Sequence, residues 1–432
     1  MSHAERALAR TALLIQRDIY PGLSEQRIVE HLTTRTIRLR ADERNVADPA
    51  GQTAAVAFAV AAAQSGARLQ IDLPDVALAG AQPPLADDAR LATGLRDLCG
   101  RLISPPCQDG ESAELTVLIG DTPAVDAGKS IRLHGGAFEG RAIPEPSLET
   151  AIPFAGAIPF GAHLAALAGA AECFREAMCE LSEVASTEPL ANHRIGLAGS
   201  VRLALAPLEL VGRIDLGRVD FISAGAMTNG ALAPLLRVPG LTGVLRVIDF
   251  DVVEVSNLNR YALVDLGMIG MAKVDVLARF AREGLAIEPL TARLSASEPP
   301  CELAELVMVG VDDLPSRWSA QTRSPGWVCV GATTRTELLV SEHIPGLPCA
   351  ACMHPHDDEQ GTGAIPTVAY VSQLAGVLQA HRLLANVLGS APGAPVLAHG
   401  LALDGPRPLL ALGQAPHPGC PLHCFASRSL AA

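Results

Sequence analysis

Residues 218–251, RVDFISAGAMTNGALAPLLRVPGLTGVLRVIDFD, constrain the fold more than any other stretch. They read as strand, glycine-containing turn, helix, loop and strand, the βαβ unit of a mononucleotide-binding sheet. A strand whose turn opens a helix leaves free backbone N–H groups where a phosphate can sit. Only Gly225 stays in phase with the glycine fingerprint of such turns; Ser223 and Thr228 stand at two of its three glycine positions. Alone, the segment also fits a tight strand-to-helix turn without a ligand. The second strand ends at Asp249, where a carboxylate can accept hydrogen bonds from ribose hydroxyls. Asp251 follows, then Asn257 and Asn259 as neutral donors and Arg260 and Lys273 as cations for a polyphosphate.

A chain of 432 residues has room for about two domains. The first 190 residues alternate strand and helix patterns. TRTIRLRAD, ARLQIDLP and AELTVLIGDT have strand character. PAGQTAAVAFAVAAAQSG reads as a buried helix stopped by Gly66, and DARLATGLRDLCGRLI as an amphipathic one. The uncharged stretch from Ala151, AIPFAGAIPFGAHLAALAGAA, carries prolines and glycines and reads as a loop followed by a buried helix, not a membrane span. The polar segment ASTEPLANHRIG sets the expected boundary, giving domains 1–190 and 191–432. The expected class is α/β: a Rossmann-like, mostly parallel sheet with helices on both faces, preceded by a second α/β domain. With aromatics at 3% of a chain that is 49% hydrophobic, Ala, Leu and Val must fill the core.

The formal charge of −13 repels phosphate backbones, which argues against general nucleic-acid binding. The N-terminus lacks a secretory apolar region. Ten cysteines, four of them in two close pairs near the C-terminus, point to a cytoplasmic protein with a metal site. Cys349-x-x-Cys352 and Cys420-x-x-x-Cys424 offer four soft donors from two knuckles, the logic of a closed structural Zn2+ site, with His423 as an alternative donor. His354-Pro-His356-Asp-Asp358 lacks the serine and later aspartate of a JAMM-type metalloprotease and reads as a solvated loop.

D-x-D, then S-N-L-N-R, then Asp265, Gly267, Gly270 and Lys273 in spacing resemble the ThiF/MoeB/ubiquitin-activating-enzyme family. ELVMVGVDDLPSRWSAQ resembles the family strand that ends in a catalytic aspartate; Asp312 matches it, Arg317 matches the later arginine, and Asp313 replaces the usual asparagine. HIPGLPCAACMHP and IPTVAYVSQLAGVLQAHRLLANVLG resemble the knuckle and the closing strand and helix. The resemblance covers roughly residues 195–432. It implies that ATP binds with Mg2+ and that the C-terminal carboxylate of a ubiquitin-like protein, sulfur-carrier protein or precursor peptide attacks the α-phosphate, giving an acyl-adenylate and pyrophosphate. Asp249 would take the ribose, Asn257, Arg260 and Lys273 the phosphates, and Asp312 the metal, with Gly225 and Asp251 beside them. Catalysis would rest on Asp312, Arg260 and Lys273.

Relatives also receive an arginine from a partner subunit or N-terminal half; Arg27 and Arg44 are the candidates here. The N-terminal domain then reads as a degenerate adenylation domain or a substrate-recognition domain, and the assembly as a homodimer or an intrachain pseudo-dimer. The loop where relatives carry a thioester cysteine has none, MHPHDDEQGTG, so no self-thioester is expected there. A non-catalytic nucleotide-binding scaffold is the alternative, supported by the broken glycine loop and Asp313. A dinucleotide oxidoreductase would explain the βαβ unit but neither SNLNR nor the cysteine knuckles.

Overall fold

The computed structural model describes the chain apart from residues 1, 105–106, 108–111, 125–127, 186–199, 296–299, 324, 346, 354–365, 391–395, 401–408, 414, 423 and 425–432. The first half runs α1 (His3–Asp18), α2 (Glu25–Thr34), β1 (Thr36–Arg40), α3 (Pro49–Gln64), β2 (Arg68–Asp72), α4 (Leu91–Cys99), β3 (Leu115–Ile119), β4 (Ser130–Gly135), β5 (Glu139–Glu145), α5 (Phe160–Ala185) and β6 (Val201–Ala204). The second runs β7 (Ile214–Ile222), α6 (Ala226–Leu235), β8 (Leu241–Ile248), α7 (Lys273–Ala278), β9 (Leu285–Leu290), β10 (Leu306–Val309), α8 (Leu314–Gln321), β11 (Trp327–Thr334), β12 (Glu337–His343), α9 (Ala350–Met353), α10 (Ala369–Val387), β13 (Val396–Gly400) and β14 (Leu410–Leu412).

Two sheets result, ordered β2-β1-β3-β4-β5-β6 and β14-β13-β12-β11-β10-β7-β8-β9. Both follow one plan. A first strand (β1, β7) has the second on one side (β2, β8) and the third on the other (β3, β10), all parallel. A fourth parallel strand (β4, β11) follows, then antiparallel strands, with one long helix (α5, α10) inserted before the last shared strand. The second sheet adds β9 and β14 at its edges. Because β6 pairs with β5, the first sheet extends past the expected boundary at 190, and the change of sheet falls between 204 and 214. The polar segment that marked the boundary leads back into the first sheet, and most of it lies outside the described residues.

Helix α3 starts with Pro49 in its first turn, after Asp48 as N-cap, and ends before Gly66, whose φ of +103° suits glycine. Every position from Ala50 to Gln64 is buried, as for a helix that is apolar all round. The same holds for α10 up to Ala385. These helices, with α5 and α6, lie between the sheets and join both halves in one apolar core. Small residues make that possible. Gln64 of α3 donates to the Tyr261 carbonyl at 2.7 Å and accepts from Gln373 of α10 at 2.8 Å. The outer face of the second sheet, Ile222, Val307, Val309, Val328 and Val330, packs on Ala320 of α8 and Ala350 of α9, so this sheet carries helices on both faces as expected. Among the described residues no helix is long and apolar enough to cross a membrane.

Two core histidines set an acid limit on this packing. His163 donates to the Pro159 carbonyl at 2.9 Å and His381 to that of Ala206 at 2.8 Å. Burial pushes their pKa down to about 3 and about 4 respectively, from 6.5. Below pH 6.5 the unfolded chain takes up protons that the folded one refuses, so stability falls with pH across the window from 6.5 to about 4. At pH 5 each contributes a loss of about 2 kcal/mol. Burial lowers the His343 pKa to about 4 as well, so thermal melts from pH 7.5 to 5 are expected to show the combined slope, and His163→Gln to reduce it by roughly a third.

Candidate active site

The second sheet reverses strand order between β7 and β10, and ligands of such sheets bind at the carboxyl ends of the strands there. An open cleft of about 760 Å³ lies at that point. Its floor is the turn from β7 into α6. Gly225 is the N-cap of α6, and the first turn of that helix aims its N–H groups at the cleft. Asp249 braces the turn: its Oδ2 accepts from the Ala224 N–H at 2.7 Å and its Oδ1 from the Asp251 N–H at 2.9 Å. A carboxylate oxygen takes a second donor readily, so Asp249 retains capacity for hydroxyls in the cleft.

The SNLNR segment forms the next wall. Asn257 accepts from the Glu254 N–H at 2.8 Å, which fixes the local turn. Arg260 donates through Nη1 to the Ser256 carbonyl at 2.5 Å and to Asn259 Oδ1 at 2.7 Å. Burial pushes the Arg260 pKa down to about 10, so it stays charged at neutral pH. Lys273, at the start of α7, pairs with Asp251 at 2.7 Å. Burial opposes its charge, but Tyr261, Asp251 and Asp249 outweigh that and hold its pKa above the ordinary value. The Tyr261 ring lies between the two cations, 5.4 Å from the Arg260 guanidinium and 5.8 Å from the ammonium.

The segment after β10 closes the far side. Asp313 accepts from the Ser316 N–H at 2.8 Å as the N-cap of α8. Arg317 donates to the Val311 carbonyl at 3.2 and 3.1 Å and so ties the start of the helix to the strand end. Asp312, just before the Asp313 cap, is exposed to the cleft.

Gly225, Asp249, Asp251, Asn257, Arg260, Lys273 and Asp312 thus surround one cleft. Asn259 does not belong to it: it is fully buried and donates to Thr11 at 3.2 Å. The two arginine candidates also lie elsewhere. Arg27 donates to the Val184 carbonyl at 3.0 Å, and Arg44 pairs with Asp121. Arg10 of α1 lines the cleft instead. Helix α1 is held there by Thr11, which donates to the Thr367 carbonyl at 3.1 Å. Nothing in HAERALARTALLIQRD separates Arg10 from an ordinary solvated helix arginine.

Cys349, Cys352, Cys420 and Cys424 converge, with all four Sγ atoms within 4.8 Å of one another. Cys349 lies 3.4 Å from Cys420 and Cys352 3.3 Å from Cys424. Tetrahedral thiolates around zinc stand roughly 3.8 Å apart, so the four donors fit that ion with small adjustments. His423 and the His354–Asp358 stretch lie outside the described residues. Burial pushes the Cys99 and Cys173 thiols up to about 12 and Cys329 well above its ordinary value, leaving them protonated and unreactive.

A family model described as the ThiF family matches residues 228–422. The chain is 28% identical over 285 residues to an uncharacterized Sinorhizobium fredii protein, covering 63% of this chain and 52% of that one. It is 32% identical over 175 residues to the SAMP-activating enzyme E1 of Haloferax volcanii, covering 39% and 63%. It is 24% identical over 210 residues to the adenylyltransferase and sulfurtransferase MOCS3 of Culex quinquefasciatus, covering 44% and 47%. The chain therefore spans less than two thirds of each of these relatives. Among solved structures, E. coli MccB with ATP matches with a TM-score of 0.40 and 15% identity over 48% of this chain and 66% of that one.

Proposed function

We propose that this chain, whose residues 228–422 match the ThiF family model, adenylates the C-terminal carboxylate of a small ubiquitin-like protein, sulfur-carrier protein or precursor peptide. The observation that carries this reading is the single cleft that gathers Asp249, Arg260, Lys273 and Asp312 around the first turn of α6. Two relatives carry activating and adenylyltransferase names, which supports the same class of chemistry.

ATP would lie with its ribose at Asp249 and its phosphates between the N-terminus of α6, Arg260, Lys273 and Arg10. The substrate carboxylate oxygen attacks the α-phosphorus, the bond to the bridging oxygen breaks, and pyrophosphate leaves with that electron pair. Three cationic side chains offset the charge that gathers on the leaving group, in a cleft where fixed donors need no reorganisation. Mg2+ would supply further charge neutralisation, and the Asp312 carboxylate would hold it.

Two further parts complete the reading. The first half would be a degenerate copy of the nucleotide domain, making the chain its own pseudo-dimer. Past the carboxyl ends of β1 and β3, the counterpart of the cleft's position, Asn45 is fully buried and donates to Asp42 at 2.7 Å and Asp121 at 2.9 Å. That half would serve the other by delivering Arg10. The four-cysteine cluster would hold one Zn2+ and staple the C-terminal segment onto Trp318 of α8 in a cytoplasmic, reducing setting. Elemental analysis is expected to find about one zinc per chain. Cys352→Ser should remove most of it and lower Tm by roughly 5 °C or more.

The test is ATP–pyrophosphate exchange with each small protein or peptide encoded beside the gene. Exchange that depends on one of them supports adenylation and identifies the substrate. ATP binding without exchange in the presence of any of them favours the scaffold reading.

A further inference from the structure

Ser223 stands where nucleotide-binding turns carry glycine, and its φ is +89°. Arg335 is the only other non-glycine residue with positive φ among the described residues. A serine held there is strained, and strain of this kind persists where surrounding contacts fix it. The contacts are present. The Ser223 N–H donates to the Ile248 carbonyl at 2.9 Å, and its carbonyl accepts from the Thr228 hydroxyl at 2.6 Å. Thr228 is the other residue at a glycine position of the fingerprint, so the two departures brace each other.

The serine hydroxyl has a separate task. Its oxygen accepts from the Gly225 N–H at 3.0 Å, which takes up a donor at the mouth of α6. A hydroxyl has one hydrogen to give; among the described residues the Ser223 side chain makes one hydrogen bond, as acceptor from Gly225, and its hydrogen has no protein acceptor. Ser223 lines the cleft. The Gly225 amide polarises the hydroxyl and strengthens it as a donor. We propose that Ser223 Oγ–H donates to a phosphate oxygen of the bound nucleotide, relaying the Gly225 amide that its own oxygen has taken. This rests on the nucleotide-binding reading above.

Calorimetry with ATP and with adenosine on the full chain separates the possibilities. Ser223→Ala keeps the backbone strain and the Cβ but removes the relay; ATP affinity is expected to fall about tenfold while adenosine affinity is unchanged. Both variants free the Gly225 N–H, but only Ser223→Gly also relieves the strain at φ +89°, so that the turn can bring that N–H onto the ligand. The glycine variant is expected to raise Tm and to bind ATP within about threefold of wild type. An alanine variant that binds ATP like wild type, or loses adenosine equally, overturns the relay. So does a glycine variant that loses ATP tenfold. Wild type that binds neither ligand overturns the nucleotide-binding reading itself, and the relay with it.

Discussion

Asp312→Ala is expected to lower partner-dependent ATP–pyrophosphate exchange by at least about 100-fold while moving Tm by no more than roughly 1 °C. The asymmetry follows from how the carboxylates of the cleft are engaged. Asp249 holds two backbone N–H groups of the turns beside it, and Asp251 holds Lys273. Asp313 caps α8. Asp312 accepts no hydrogen bond among the described residues and faces the cleft. Its charge nonetheless acts on Arg260 and Arg317. An exposed group without structural partners costs little to remove from the fold. If it holds the metal that neutralises the triphosphate, the loss falls on the chemical step. Asp249→Ala should behave differently, since it releases the Ala224 and Asp251 amides and lowers Tm together with activity. Full exchange by Asp312→Ala would sink the role assigned to it.

The site is legible in sequence where its residues are contiguous or follow a strand end. Asp249, Asp251, Arg260 and Lys273 lie within 25 residues, and the strand-turn-helix pattern around Gly225 gives their place above the sheet. Arg10 is not legible, because its place at the cleft depends on where α1 lands, and no local pattern encodes that. In sequence, the departures from the family pattern look like damage, and the structure gives them a different weight. Asp313 caps a helix, a position that Asn and Asp fill about equally well. Ser223 keeps the left-handed turn that glycine would make. Neither change therefore favours a non-catalytic scaffold by itself.

In the first half, α3, α4, α5 and strands β1 to β3 follow the apolar patterns of the sequence. The β4–β5 hairpin does not show in the same way: SIRLHGGAFEGRAIPE mixes arginines and glycines through both strands, so its alternation is weak. The shared plan of the two sheets is hidden too. It resides in strand order, and strand order is set by long-range pairing that no local window contains.

Gly376→Val is expected to destabilise the chain by about 3 kcal/mol or more and to abolish nucleotide binding. A Cβ at Gly376 would lie 2.3 Å from the Met227 carbonyl oxygen and 2.5 Å from the Ala231 nitrogen. One at Gly230, across the same contact, would lie 2.7 Å from the Gln373 carbonyl oxygen. Backbone meets backbone here, so no flexible side chain can yield, and α6 and α10 must separate. That separation would carry away the α6 turn that forms the cleft floor. It would also break the bonds from Gln379 of α10 to the Val309 and Cys329 carbonyls, each 3.1 Å. Gly128 supplies the comparison. A Cβ there would meet nothing within 4 Å, so Gly128→Ala should leave Tm and ATP affinity near wild type. A Gly376→Val protein that melts and binds ATP like wild type would show that the two helices are not held at backbone contact.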